Sequence, residues 1–328
     1  MGSFLGFVYR QLTFKPKPIP ANVSLRGKTA LVTGASGGLG LEASAELAAH
    51  GLSRIILGVR DPSESKCESI KSTISAKNPD LDVQIWELEQ ESLPGIKAFA
   101  DRAASLDRLD IVILNAGVKG IDYAMSKGGH ELNTQVNHIG TALLSLLLLG
   151  PLQKTAQETE TDAPARLTIV SSENHFWVNL KNIEGPDTLV NMDVKDNFGK
   201  GMDRYSLTKL FNVLWMRELS KRATGNIVIN AVNPGFCQSK LHRYHPGGAS
   251  FANLIGWTAA QGGHCLTDAA TSHSTDKGAY ISEQMVKSPS PFVLSKEGES
   301  AQLRIWDETV KLLAQELPST DFLSNIRP

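Results

Sequence analysis

The stretch TGASGGLG, Thr33 to Gly40, stands directly behind the β-branched run TALVT and opens the segment GLEASAELAAHG, which stops at Gly51. A strand, a glycine-rich turn and a helix in that order make a phosphate cradle. Gly34 allows the tight turn, Gly38 lets the backbone approach a pyrophosphate, and Gly40 permits close packing of helix on sheet. The first helical N–H groups are unpaired and sit at the positive end of the helix dipole, facing the phosphates. The same glycines outside this context would mark a turn and nothing more. Within it they point to dinucleotide binding.

Outward from that turn, short apolar runs alternate with helix-length segments. The runs are RIILGVR from Arg54, VQIWELE from Val83, LDIVILNAG from Leu109, ARLTIVSS from Ala165 and IVINAVNPG from Ile227. Strands separated by helices need crossover connections, which yields a doubly wound α/β fold: a parallel sheet with helices on both faces, in a single domain. Near-continuous hydrophobicity fits strands buried on both sides. GTALLSLLLLGPL (Gly140 to Leu152) is too short for a bilayer and carries Gly150 and Pro151, so it reads as a buried helix behind the sheet.

Composition excludes several functions. The chain has 328 residues, 41% hydrophobic and 20% charged, with a net charge of -1, so it offers no global field for nucleic acid or an anionic membrane. Cys67, Cys237 and Cys265 lack paired spacing, which implies neither disulfides nor a zinc site and suits a reducing, cytoplasmic setting. His175, His242, His245, His264 and His273 have no carboxylate or cysteine at ligand spacing, so no metal is expected. FLGFVYRQLTF, Phe4 to Phe14, is too short to span a membrane and lacks the marks of a signal peptide. It is expected to pack on the domain surface, with peripheral membrane contact as the alternative. Residues 1–24 thus form an extension, with the stiff link KPKPIP (Lys15 to Pro20), and 25–328 the domain, with a substrate loop at about 236–275. No signal for oligomeric state is visible.

The spacing Thr-Gly-x-x-x-Gly-x-Gly at Thr33 to Gly40 resembles the short-chain dehydrogenases/reductases. Later stretches are similar in the same order: Glu87-Leu88, LNAG at Leu114 to Gly117, NHIG at Asn137 to Gly140, VSSENH at Val170 to His175, Tyr205-x-x-x-Lys209 and NPGFCQS at Asn233 to Ser239. RIWDETVKLL near the C-terminus is similar to the retinol-dehydrogenase-like branch, and SFLGFVYRQL to reductases of fungal secondary metabolism. The resemblance implies a Rossmann-type fold and a catalytic set of Asn137, Ser172, Tyr205 and Lys209. Tyr205 would give a proton to a carbonyl oxygen, Ser172 would hydrogen-bond that oxygen, Lys209 would hold the nicotinamide ribose, and Asn137 would anchor a water relaying protons. A lysine one helical turn away is expected to draw the Tyr205 pKa down from about 10.

The resemblance also implies cofactor contacts from Gly34, Ser36, Gly38, Leu39, Gly40, Glu87, Leu88, Asn115, Ala116, Gly117, Pro234, Gly235 and Ser239, besides Tyr205 and Lys209. Gly58 stands where NAD-preferring relatives carry Asp, and Arg60 follows. A guanidinium matches a phosphate, so NADP(H) is favoured over NAD(H), with Ser36 as a minor phosphate contact and Asp61 keeping NAD open. The substrate is expected to be a hydrophobic carbonyl compound or alcohol. Its lining would come from Phe176, Trp177, Leu180 and Phe198, and from Phe236, Leu241, Tyr244, Phe251, Leu254 and Trp257. The glycine-rich loop Cys237 to Ser274 would close as a mobile lid. Two other readings stand beside this one. A non-catalytic dinucleotide sensor or scaffold would lose the Tyr or Lys, and a membrane-associated retinoid or steroid dehydrogenase would need an N-terminal anchor.

Overall fold

The computed structural model describes residues 2–158, 163–183, 185–200, 202–239, 241 and 254–327. The apolar runs become β1 (Thr29–Thr33), β2 (Arg54–Val59), β3 (Asp82–Glu87), β4 (Ile111–Leu114), β5 (Ala165–Val170) and β6 (Ile227–Asn233). Every residue of β1, β4 and β6 is buried, which is why these strands read as unbroken apolar stretches. Alternation sorts their side chains to two cores. Leu31 and Ile56 face one cluster with the helices Leu93–Ala104, Gly140–Leu147, Asp203–Arg222 and Lys296–Glu316. Ala30, Val32, Ile55 and Leu57 face another with the helices Gly38–Ala49 and Ala259–Thr271.

The strands run in the order β3-β2-β1-β4-β5-β6-β7-β8, with β7 (Tyr280–Ser282) parallel to β6 and β8 (Met285–Lys287) antiparallel to β7. Because β1 pairs with both β2 and β4, the winding reverses there. A reversal of this kind opens a crevice at the carboxyl ends of β1 and β4, where a ligand can enter. The short strands β7 and β8 are absent from the sequence reading, since each has three residues and too little length for a period to show.

Gly140–Leu147 and Leu149–Glu158 lie in one helical stretch, Leu132–Glu158, that has the length and apolarity to cross a membrane; 89% of its most apolar window is buried inside the protein. The expected lid needs correction. Ala259–Thr271, inside the span read as a mobile loop, is a capped helix packed on Gly38–Ala49. Its glycines serve contact, not flexibility: a Cβ on Gly262 would lie 2.7 Å from Cys237 Sγ, and one on Gly263 would lie 2.9 Å from the backbone nitrogen of Ala43. Trp257 is buried and Leu254 exposed. Residues 242–253, including His242, Tyr244, His245 and Phe251, lie outside the described residues.

Candidate active site

At the crevice the chain leaves β1 through Gly34, whose φ of +65° is left-handed. A Cβ there would meet the Cα of Ala116 at 2.9 Å, so only glycine lets the β1 turn press against the β4 loop. Gly40 closes the same contact from the helix side; its Cβ would lie 2.6 Å from Asn115 Nδ2 and 2.7 Å from the Gly34 carbonyl oxygen. Gly38 opens the helix with φ +57°, and a Cβ there would have nothing nearer than the Ser239 Cβ at 3.8 Å. The space before the helix N-terminus is therefore a cradle that a pyrophosphate could fill. Asn115 holds the cradle's shape, because its Nδ2 donates to the Thr33 and Gly34 carbonyls at 2.9 and 3.3 Å.

A cleft of about 870 Å³ runs from this cradle across the carboxyl ends of the strands. Gly34, Ser36, Gly38, Leu39, Arg60, Leu88, Asn115, Ala116, Gly117, Pro234, Gly235 and Ser239 all lie in its wall, as do Ser172, Tyr205 and Lys209. Three expected residues stand elsewhere. Gly40 packs behind the cradle, Glu87 is exposed and outside the wall, and Asn137 is fully buried behind Gly117. Beyond Arg60, Asp61 bonds the Ser63 N–H at 3.0 Å and pairs with Lys66, so its carboxylate is engaged at the start of the next helix.

Tyr205 and Lys209 project from one face of Asp203–Arg222, as their four-residue spacing requires. Lys209 Nζ lies 5.7 Å from the Tyr205 ring centre and donates to the Val170 carbonyl at 2.8 Å. Ser171 is committed elsewhere: its hydroxyl donates to the Lys209 carbonyl at 2.9 Å. Ser172, half-buried, turns its hydroxyl toward Asn174 and Tyr205. Asn137 lies in a π-helical turn, Gln135–Ile139, a local distortion that often accompanies function. Its amide spans the N–H and carbonyl of Val118 and the Thr208 hydroxyl at 2.8, 2.9 and 3.1 Å.

The electrostatics depart from the sequence argument. Burial pushes Tyr205 up to about 12, against a lowering hydrogen bond from Ser172. Burial also pushes Lys209 down to about 8. Desolvation opposes the charged form of both groups and is the largest cause of each shift. Tyr205 is thus firmly protonated at neutral pH, a state suited to giving a proton rather than taking one.

At the far end the wall includes Trp177, Phe236 and Leu241, as expected, together with Phe7, Val118 and Met202. Phe176, Phe198 and Trp257 pack into the body of the protein, and Leu180 faces outward, so these do not line it. Sequence reasoning missed Phe7, which comes from the chain's N-terminus, and Lys119. Lys119 is 7% exposed, lies in the cleft wall 5.8 Å from the Tyr205 ring centre, and is brought down to about 8 by burial. Its signal was present: a lysine two residues beyond the LNAG stretch.

Known proteins resemble this chain closely. A family model described as short chain dehydrogenase matches residues 28–158. Over 286 residues the chain is 58% identical to the short chain dehydrogenase sol3 of Alternaria solani, covering 87% of this chain and 99% of that protein. Among solved structures, an uncharacterized protein of Mycobacterium paratuberculosis superposes with a TM-score of 0.66 at 23% identity, covering 90% of this chain and 98% of that one. A short chain dehydrogenase of Shigella flexneri complexed with NADP gives 0.59 at 21% identity, covering 80% of this chain and 99% of that one.

Proposed function

This chain belongs to the short-chain dehydrogenases and is accordingly an NAD(P)-dependent oxidoreductase; on that premise we propose that it is an NADPH-dependent reductase of a hydrophobic ketone or aldehyde. The carrying observation is that Ser172, Tyr205 and Lys209 share the wall of one cleft with a glycine cradle at its other end. Gly34, Gly38 and the helix start would hold the cofactor's pyrophosphate, and Lys209 its nicotinamide ribose. When bound, the cofactor supplies a hydride. Tyr205 donates a proton to the substrate oxygen, while Ser172 hydrogen-bonds that oxygen as charge develops on it. Lys209 keeps positive charge beside the phenol, and Asn137 lines the proton route toward Lys209. Phe7, Trp177 and Phe236 exclude water and contact the apolar body of the substrate.

NADP(H) is favoured by Arg60 in the cleft wall and by the lack of an acid at Gly58. A Cβ at Gly58 would already meet Leu88 at 3.1 Å and Phe99 at 3.3 Å. The NADP held by the Shigella flexneri relative supports the same choice. Likeness to fungal reductases suggests a substrate from secondary metabolism, handled in the cytoplasm; none of Cys67, Cys237 and Cys265 is in a disulfide. The experiment is NADPH oxidation by the purified protein against aromatic, polyketide-like and terpenoid ketones, with Tyr205→Phe in parallel. Turnover by the parent is expected, with at least about a hundredfold loss in the variant and unchanged NADPH binding. A variant as fast as the parent would refute the role of Tyr205.

A further inference from the structure

The N-terminal helix Phe4–Thr13 turns polar residues inward beside Phe7 and Val8. Phe4, Leu5, Tyr9 and Leu12 are exposed, whereas Gln11 is buried and Arg10 reaches buried partners. Phe7 and Val8 are partly buried, but the hydrophobic effect alone does not account for burying Gln11 while four large apolar side chains stay exposed. We propose that this helix is a working part of the active site. Gln11 and Arg10 act as positioning residues for the loops bearing Gly235 and Ser172, and Phe7 selects the apolar end of the substrate. The proposal rests on the reductase reading above.

Gln11 grips the Gly235 loop as a strand neighbour would. Its Nε2 donates to the Phe236 carbonyl at 2.7 Å and its Oε1 accepts the Phe236 N–H at 3.2 Å. Its own carbonyl accepts Trp257 Nε1 at 2.9 Å. That indole lies against Gly235, where a Cβ would fall 2.3 Å from the ring. Arg10 serves the other loop. It pairs with Glu173, the residue after Ser172, and its Nε lies 3.5 Å from Glu283. The Glu173 and Gly235 N–H groups both donate to Asn233 Oδ1, at 3.1 and 3.2 Å. Asn233 Nδ2 donates to Ser282, whose hydroxyl donates to Glu283, so one network joins Arg10 to both loops.

Phe7 stands in the cleft wall, edge-on to Trp177 at 5.7 Å and to Phe236 at 6.2 Å. The link beyond the helix is also fastened. Lys17 and Gln284 exchange two hydrogen bonds of 2.8 and 2.7 Å. Glu173 and Glu283 are both buried, and burial raises the Glu173 carboxyl while Arg10 lowers it. Among the described residues, the other groups facing them include Lys287, 3.8 Å from Glu283, the buried phenol of Tyr280 and the buried His175 beside that phenol. Without Arg10, two buried carboxylates would lose a close counter-charge, and Glu173, already raised by burial, would take up a proton as pH falls.

The test uses the full chain and compares a bulky aromatic ketone with a small aliphatic one. Phe7→Ala is expected to shift the ratio of kcat/KM between the two ketones by about tenfold with NADPH affinity unchanged. Arg10→Met is expected to lose about tenfold in kcat at pH 8 and to recover toward pH 6. Arg10→Lys should stay near the parent, and adding Glu173→Gln to Arg10→Met should remove the pH dependence. An unchanged ratio in Phe7→Ala together with superimposable pH profiles for Arg10→Met would overturn the proposal. NADPH fluorescence titration and amide exchange at residues 235–237 are read beside turnover. If the parent reduces no ketone, the reductase reading fails by itself. Faster exchange in Arg10→Met at pH 8 than at pH 6 then still supports the positioning role, and unchanged exchange overturns it.

Discussion

Two ammonium groups flank one phenol. Lys209 and Lys119 lie 5.7 and 5.8 Å from the Tyr205 ring centre, and burial holds each near 8. Since Tyr205 is held up at about 12, an alkaline loss of reductase activity between pH 7 and 9 is expected from the lysines beside the phenol and not from the phenol itself. We expect the rate to fall above about pH 8 as Lys209 loses its proton, and the same limb to persist in Lys119→Met. A pH–rate profile flat to pH 9 would remove Lys209 from the mechanism, and a limb lost in Lys119→Met would transfer it to Lys119. At the other end of the cleft, Arg60→Ala is expected to weaken NADPH about 10- to 100-fold and NADH far less, as loss of one charge-assisted contact to a phosphate would. Equal losses by titration would show that Arg60 does not read the phosphate.

Helices and strands were legible where their period was long enough to repeat. The six long strands, the glycine turn and the buried helix from Gly140 all stand where the residues imply. Ala259–Thr271 did not, because its AAQGGHC start carries two glycines that weaken helix propensity. Those glycines are explained by tertiary neighbours: the helix Gly38–Ala49, more than two hundred residues earlier, for both, and Cys237 as well for Gly262. A sequence window cannot contain that fact. It does yield a prediction whose sign depends on magnitudes. On an exposed helix, Gly→Ala would stabilise by about 1 kcal/mol. At Gly263 the added Cβ would sit 2.9 Å from both the Ala43 nitrogen and the Glu42 Cβ, and overpacking against backbone costs about 1–3 kcal/mol. Gly263→Ala should therefore lower the thermal midpoint; a higher midpoint would mean that the two helices separate freely. In the site, the cradle and Tyr205–Lys209 pair were local patterns, whereas Phe7, Gln11 and Arg10 meet the cleft only through tertiary contacts.

Across the whole molecule, acid stability is set by histidines folded in their neutral form. His138 is fully buried, its Nε2 bonded to the Thr309 hydroxyl at 2.9 Å, and burial lowers it to about 3. His175 lies under the Ser172 loop, its Nδ1 2.7 Å from the Ser172 carbonyl, and burial lowers it to about 4. Both have folded values below the unfolded one, near 6.5, so below that pH the unfolded chain takes protons that the folded chain refuses. Stability then falls with acid by up to about 1.4 kcal/mol per pH unit for each histidine. His130 works in the opposite sense. Asp193 and Glu316 raise it to about 8, so its contribution is complete below pH 6.5 and is lost as pH rises toward 8. Glu173, raised by burial, opposes the acid trend by no more than one proton. Between pH 6.5 and 5 the two buried histidines therefore dominate, before most carboxylates titrate. The urea midpoint should drop steadily across that window, and His138→Gln should reduce the slope by about one proton's worth. A midpoint constant from pH 6.5 to 5 would show that both rings accept a proton within the fold.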